Sequence, residues 1–84
     1  MDHFTNVDGK VKEILAKQLH MEASAIKTES LLTTDLGLDS FGSVEVAFEL
    51  EEQFSIKIPD AALYEAKTVK DIVDYIVGVT KDKA

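Results

Sequence analysis

Phe4, Val7, Val11, Ile14, Leu15 and Leu19 recur at three- and four-residue spacing, which places them on one face of an α-helix. Gly9 interrupts that face, and Asp8 is a candidate cap for a helix whose regular part starts only there. Between His20 and Asp39 the rhythm fails. The stretch "EASAIKTESLLTTDLGLD" is rich in Ser, Thr and Asp, and predicts a long connection anchored to the core by Ile26, Leu31, Leu32 and Leu36. Connections of that length within compact chains usually carry function. Gly37 is expected to supply a turn conformation that a side chain would resist.

Helical spacing resumes from Ser40 to Phe54. Val46, Ala47, Leu50 and Phe54 share the face expected in the core, while Glu45, Glu49 and Glu52 gather on the opposite side. Phe41, Val44 and Phe48 form a third strip, either packed under the long loop or exposed for a partner. Asp39 fits the N-cap, where a carboxylate accepts free first-turn amides. "SIKIP" is too short to argue for a sheet, and Pro59 opens a short helix from Asp60 to Glu65. Thr68, with Asp71 three residues on, caps a last helix whose stripe is Val69, Ile72, Val73 and Ile76, with Gly78 near its end. The prediction is an all-α protein. It is a small four-helix bundle of three main helices and one short helix, with a long loop between helices 1 and 2 and residues 1–84 in one domain.

Composition changes the picture in two ways. The chain has no cysteine, so it holds itself by packing, offers no thiolate metal site and suits a reducing compartment. The start "MDHFTNVDGK" lacks a basic-then-apolar signal pattern and no segment has the apolar length of a membrane span, so a cytoplasmic location is expected. Nine lysines, no arginine and sixteen acids give a net charge of −7, which argues against nucleic acid as a partner. Thr28 to Ala66 hold nine of those acids against Lys57 alone, a local net of −8. That field surrounds Ser40 and suits basic partners, although acidic surfaces also serve solubility alone.

Ser40 is the residue that invites chemistry. A serine nucleophile needs a base within reach, and its neighbour Asp39 is in the wrong register for that on a helix. The only histidines, His3 and His20, belong to the first helix region. "GLDSFG" approaches a nucleophile elbow, but Leu38 stands where the first glycine is required and no strand precedes it. Asp35 and Asp39 can be laid on a calcium loop, yet Ser40 and Val46 then occupy positions that need glycine and glutamate. No His, Cys and carboxylate cluster has metal-ligand spacing. Ser40 therefore reads either as an ordinary first-turn residue or as a hydroxyl at a helix N-terminus, where free amides favour a phosphodiester.

The stretch "LGLDSFGSVEVAFELEEQFSIKIPD", followed by "TVKDIVDYI", resembles the acyl carrier proteins, whose mark is a D-S-[LMF] triplet after a leucine–glycine turn. The likeness covers nearly the whole chain. It implies a stand-alone scaffold rather than an enzyme, with 4′-phosphopantetheine transferred from coenzyme A to Ser40 by a phosphopantetheinyl transferase (a holo-carrier synthase). The arm's thiol would carry acyl groups between enzymes of fatty-acid, lipid or polyketide-type biosynthesis. The implied partners are acyl-activating, condensing or acyltransferase enzymes with basic patches, and a monomer is expected. By position, Asp39, Phe41, Val44, Glu45, Phe48, Glu51 and Glu52 correspond to the surface such carriers show their enzymes. Val46, Leu50, Phe54, Ile58, Leu63, Ala66 and Ile72 correspond to a core that can shelter an acyl chain, or that is plain packing.

The match departs in places. Gly42 stands where common fatty-acid carriers have an acidic residue, and Phe41 and Phe48 replace smaller side chains, which predicts a specialised set of enzymes. "DSFGSV" also resembles the D-alanyl carrier proteins, so an aminoacyl cargo is the alternative. An acidic helical interaction module without a prosthetic group is a further one.

Overall fold

The computed structural model describes residues 3–80, residue 60 by its backbone alone. Four α-helices are present: α1 (His3–Leu19), α2 (Ser40–Phe54), α3 (Asp60–Glu65) and α4 (Val69–Thr80). Among the described residues there is no strand, only an isolated antiparallel bridge between Leu31 and Thr68. The all-α bundle expected from the spacing is what forms, down to the ends of α2 and α3.

The core is built from the stripes already named. Val7, Val11, Ile14 and Leu15 of α1 pack with Val46 and Leu50 of α2 and with Val69, Ile72, Val73 and Ile76 of α4, all buried. Burial of this kind is the main driving force for a chain without cross-links. Every buried side-chain polar atom among the described residues has a hydrogen-bond partner.

Three details correct the sequence reading. Asp8 does not cap α1, which starts at His3 and runs through Gly9. An exposed glycine costs a helix only about 1 kcal/mol, less than burying Val7 and Val11 on either side of it returns. Asp8 instead pairs with Lys12 at 2.8 Å and accepts the Thr28 hydroxyl at 2.9 Å, which ties the long loop to α1. Of the four loop anchors expected, Ile26 and Leu32 are buried, Leu36 is half-buried and Leu31 is exposed. Leu38 takes the vacant place in the core. Gly37, at φ +71°, turns the chain so that the Leu38 amide reaches the Leu32 carbonyl at 2.8 Å. Phe4 lies at the edge of its stripe, partly exposed.

Both α1 and α2 end on a residue in the left-handed region. His20 lets the Met21 amide reach back to the Ala16 carbonyl at 3.0 Å, and Ser55 does the same for Ile56 and Glu51 at 3.2 Å. The segment after α2 is then pinned from two sides. The Glu51 carboxylate accepts the Ile58 amide at 2.7 Å, and the Tyr75 hydroxyl donates to the Lys57 carbonyl at 3.2 Å.

The start of α4 is capped twice over. Asp71 accepts the amides of Lys67 at 2.8 Å and Thr68 at 3.1 Å, while the Thr68 hydroxyl accepts the Asp71 amide at 3.2 Å. Loop carbonyls take two more donors: the Lys70 amide reaches Thr28 at 2.8 Å and the Val69 amide reaches Ser30 at 3.1 Å. The amide bond from Lys67, then that from Thr68, hold the Asp71 carboxyl below its ordinary value of 3.8, against a smaller opposing effect of burial. A group lowered in this way stabilises the fold fully above 3.8 and loses that contribution as pH falls through the lower folded value. Urea melts between pH 2 and 7 should therefore show an acid-dependent loss that Asp71→Asn lacks, the variant being less stable at neutral pH by about 1 kcal/mol. Equal acid sensitivity in both proteins would count against the cap.

Candidate functional site

Ser40 is the first residue of α2 and is exposed. Asp39 is its N-cap: the Asp39 carboxylate accepts the Gly42 amide at 2.7 Å and the Asp39 carbonyl accepts the Ser43 amide at 2.8 Å. The Ser40 and Phe41 amides have no carbonyl one turn earlier to bond to, because the helix begins with them. A hydroxyl thus stands beside donors and the positive end of the helix dipole, as a phosphodiester would require. Position 42 is tightly enclosed by this cap. A Cβ there would come within 3.1 Å of both the Asp39 carboxylate and Leu38.

Beside Ser40 opens a groove of about 320 Å³ between the long loop, α2, α3 and the start of α4. Asp39, Ser40, Ser43, Thr33 and Tyr64 edge it, and Leu32, Leu38, Val46, Leu63, Ala66 and Ile72 supply its carbon lining. Leu63, Ala66 and Ile72 also line a smaller cavity of about 20 Å³, completed by Leu50, Ile58, Ala62, Asp71 and Tyr75. The groove lining contains no histidine or lysine, and its only carboxylate is the cap Asp39. No general base is therefore positioned for Ser40. Among the described residues no group of three or more His, Asp or Glu side chains could hold a metal ion.

The expected docking residues divide. Phe41, Val44 and Phe48 are 75%, 46% and 64% exposed, so the strip is not packed under the loop. Glu45 and Glu52 are exposed near it. Asp39 and Glu51 have their carboxylates engaged with the backbone of this chain, as cap and as anchor of residue 58. They contribute charge to the face more than a free hand to a partner.

The expected pocket residues also divide. Val46, Leu63, Ala66 and Ile72 line the groove, and Leu50 and Ile58 the inner cavity. Phe54 lines neither; it is half-buried against the core cluster. Thr33, Leu38, Ser43 and Tyr64 also line the groove, a place the sequence reading did not give them. Tyr64, 77% exposed on the short α3, had no periodic partner that would have singled it out.

Comparison with known proteins places these features in a family. Residues 9–76 match the family model described as "Phosphopantetheine attachment site". A curated relative named "Acyl carrier protein" from Clostridium acetobutylicum is 44% identical over 73 residues, covering 87% of this chain and 95% of its own length. Its namesake in Onion yellows phytoplasma is 46% identical over 71 residues, 84% of this chain and 93% of the relative. That of Helicobacter hepaticus is 45% identical over 76 residues, 90% and 95%.

Proposed function

Because the chain belongs to the acyl carrier protein family, with 4′-phosphopantetheine as its prosthetic group, we propose that Ser40 is the attachment point and that the groove beside it receives the cargo. The observation that carries this is the exposed Ser40 hydroxyl at the head of α2, opening directly onto the carbon-lined groove. When attached, the arm supplies a thiol that holds acyl groups as thioesters.

Everything else is asked of this chain's own residues. The Ser40 oxygen forms the new phosphoester bond and adenosine 3′,5′-bisphosphate leaves from coenzyme A, while the serine proton passes to a base of the transferase. The amides at the head of α2 favour the resulting negative charge. Asp39 opposes it, so the transferase must bring compensating cations. The −8 field of residues 28–66 attracts such a basic partner, and the apolar strip of Phe41, Val44 and Phe48 supplies contact once it arrives. The chain acts as a scaffold worked on by other enzymes, and the cysteine-free composition suits the reducing cytoplasm in which they would operate.

The lining favours an acyl over a D-alanyl cargo. Its floor of Leu32, Leu38, Val46, Leu63, Ala66 and Ile72 is hydrocarbon, which suits an acyl chain and would desolvate an ammonium group at a cost. The test starts from apo protein, a broad-specificity phosphopantetheinyl transferase and coenzyme A. Intact mass should rise by one phosphopantetheine, and the product should accept an octanoyl group from an acyl-activating enzyme but no D-alanine from a D-alanine-activating one. No mass gain would leave an interaction module as the better reading; charging with D-alanine alone would reverse the cargo assignment.

A further inference from the structure

Thr28, Ser30, Thr68, Tyr75 and Thr80 use their hydroxyls inside the fold. Thr28 donates to Asp8, Tyr75 to the Lys57 carbonyl and Thr80 to the Ile76 carbonyl, while Ser30 and Thr68 accept backbone amides. Thr33, Ser43 and Tyr64 differ: their hydroxyls have no hydrogen bond to another described residue. All three edge the groove at Ser40, brought there by the loop, α2 and α3 respectively. Tyr64 is also set apart by its ring, which is 77% exposed while Leu63 and Ala66 beside the same groove are half-buried. Among the described residues at that rim it has the only large apolar surface.

We propose that Tyr64 is a positioning residue for the prosthetic arm: its ring packs on the pantoyl geminal dimethyl group, its hydroxyl bonds an arm amide, and the thiol end is held over the groove. This rests on attachment at Ser40. An arm joined there starts at the groove's edge, and the dimethyl carbon follows the phosphate directly, so the rim is where it must find cover. A tyrosine ring offers an apolar face and a polar tip to such a group. The amides further along need hydrogen-bond partners if they leave water. Thr33, Ser43 and Tyr64 supply them without breaking a bond inside the protein. A groove of about 320 Å³ is in the size range of small-molecule sites, so the arm can lie along it and not only above it. Tyr75 cannot serve in this way, because its hydroxyl is held by the Lys57 carbonyl and it lines the inner cavity. The holo carrier then rests with its arm folded back, and a partner enzyme must lift the arm off Tyr64 before using the thiol.

The experiment compares apo and holo protein by NMR, with the ring signals of the two tyrosines assigned. In the holo form the Tyr64 ring should shift and show through-space NOE contacts to the geminal dimethyl protons, while the Tyr75 ring stays in place. Alkylation of the holo thiol by iodoacetamide should be about threefold faster in Tyr64→Ala, the change that loss of one aromatic contact supports. Tyr64→Phe keeps the ring, and so should keep the dimethyl contact and a rate nearer the wild type. A Tyr64 ring without contact to the arm, equal thiol rates in wild type and Tyr64→Ala, or a Tyr64→Phe rate as fast as that of Tyr64→Ala each overturns the proposal. Absence of phosphopantetheine on the wild type overturns the attachment at Ser40 instead. Tyr64 is exposed, so the alanine variant should keep the fold by circular dichroism; should it not, the contact in wild-type holo protein and the Tyr64→Phe rate decide.

Discussion

Ser40→Ala is expected to abolish modification altogether: under conditions that convert all of the wild type, the variant's intact mass should not change. The expected effect is all-or-none because no other hydroxyl shares the position. Ser43 and Thr33 also edge the groove. Ser43, however, lies one turn into α2, with its amide already given to the Asp39 carbonyl, and Thr33 belongs to the loop. Only Ser40 combines exposure with the donors at the head of α2. The substitution itself should be mild for the fold. Asp39 provides the cap, alanine suits the first turn of a helix, and an exposed change of this kind stays within about 0.5 kcal/mol. Circular dichroism and a urea melt should therefore be those of the wild type, so that loss of the mass gain reports chemistry and not unfolding. Phosphopantetheine on the variant, mapped by peptide mass to Ser43 or Thr33, would refute the assignment of Ser40.

Leu15→Ala should produce the largest loss of stability. Leu15 is 0% exposed, in the stripe of α1 that meets both α2 and α4. Truncating a fully buried leucine costs about 2–5 kcal/mol, since the lost transfer free energy is joined by the cavity left behind. A chain of 84 residues has a total stability of about 4–13 kcal/mol. The variant is therefore expected to lose much of its folded population, with a urea midpoint falling by half or more. The site is hard to repair by relaxation, because other members of its core cluster, Val11, Val73 and Ile76 among them, are themselves fully buried. A loss under about 1 kcal/mol, the range of ordinary half-exposed sites, would show that the core is looser than its packing implies.

Periodicity made the three long helices legible, and local chemistry marked two of their starts. Asp39 before Ser40 and Thr68 with Asp71 are caps whose hydrogen bonds the structure reproduces. The loop was less readable. Its leucines are separated by no regular spacing, so nothing local says which of Leu31, Leu36 and Leu38 turns inward. The choice depends on Gly37 and on the bridge to Thr68, a partner far along the chain. Tertiary roles of Asp8 and Glu51 were hidden for the same reason. Asp8 looked like a cap and Glu51 like part of the enzyme-facing surface, and the carboxylate of each also anchors a segment 20 or 7 residues away.

Spacing and capping were sufficient by themselves for the helices, the acidic face and the place of Ser40 at the head of α2, because those depend on neighbours within a few positions. The groove beside Ser40 and the small cavity next to it were decided only by tertiary structure. Their walls come from the loop, α2, α3 and α4, and a space bounded by distant segments exists only once packing has brought them together.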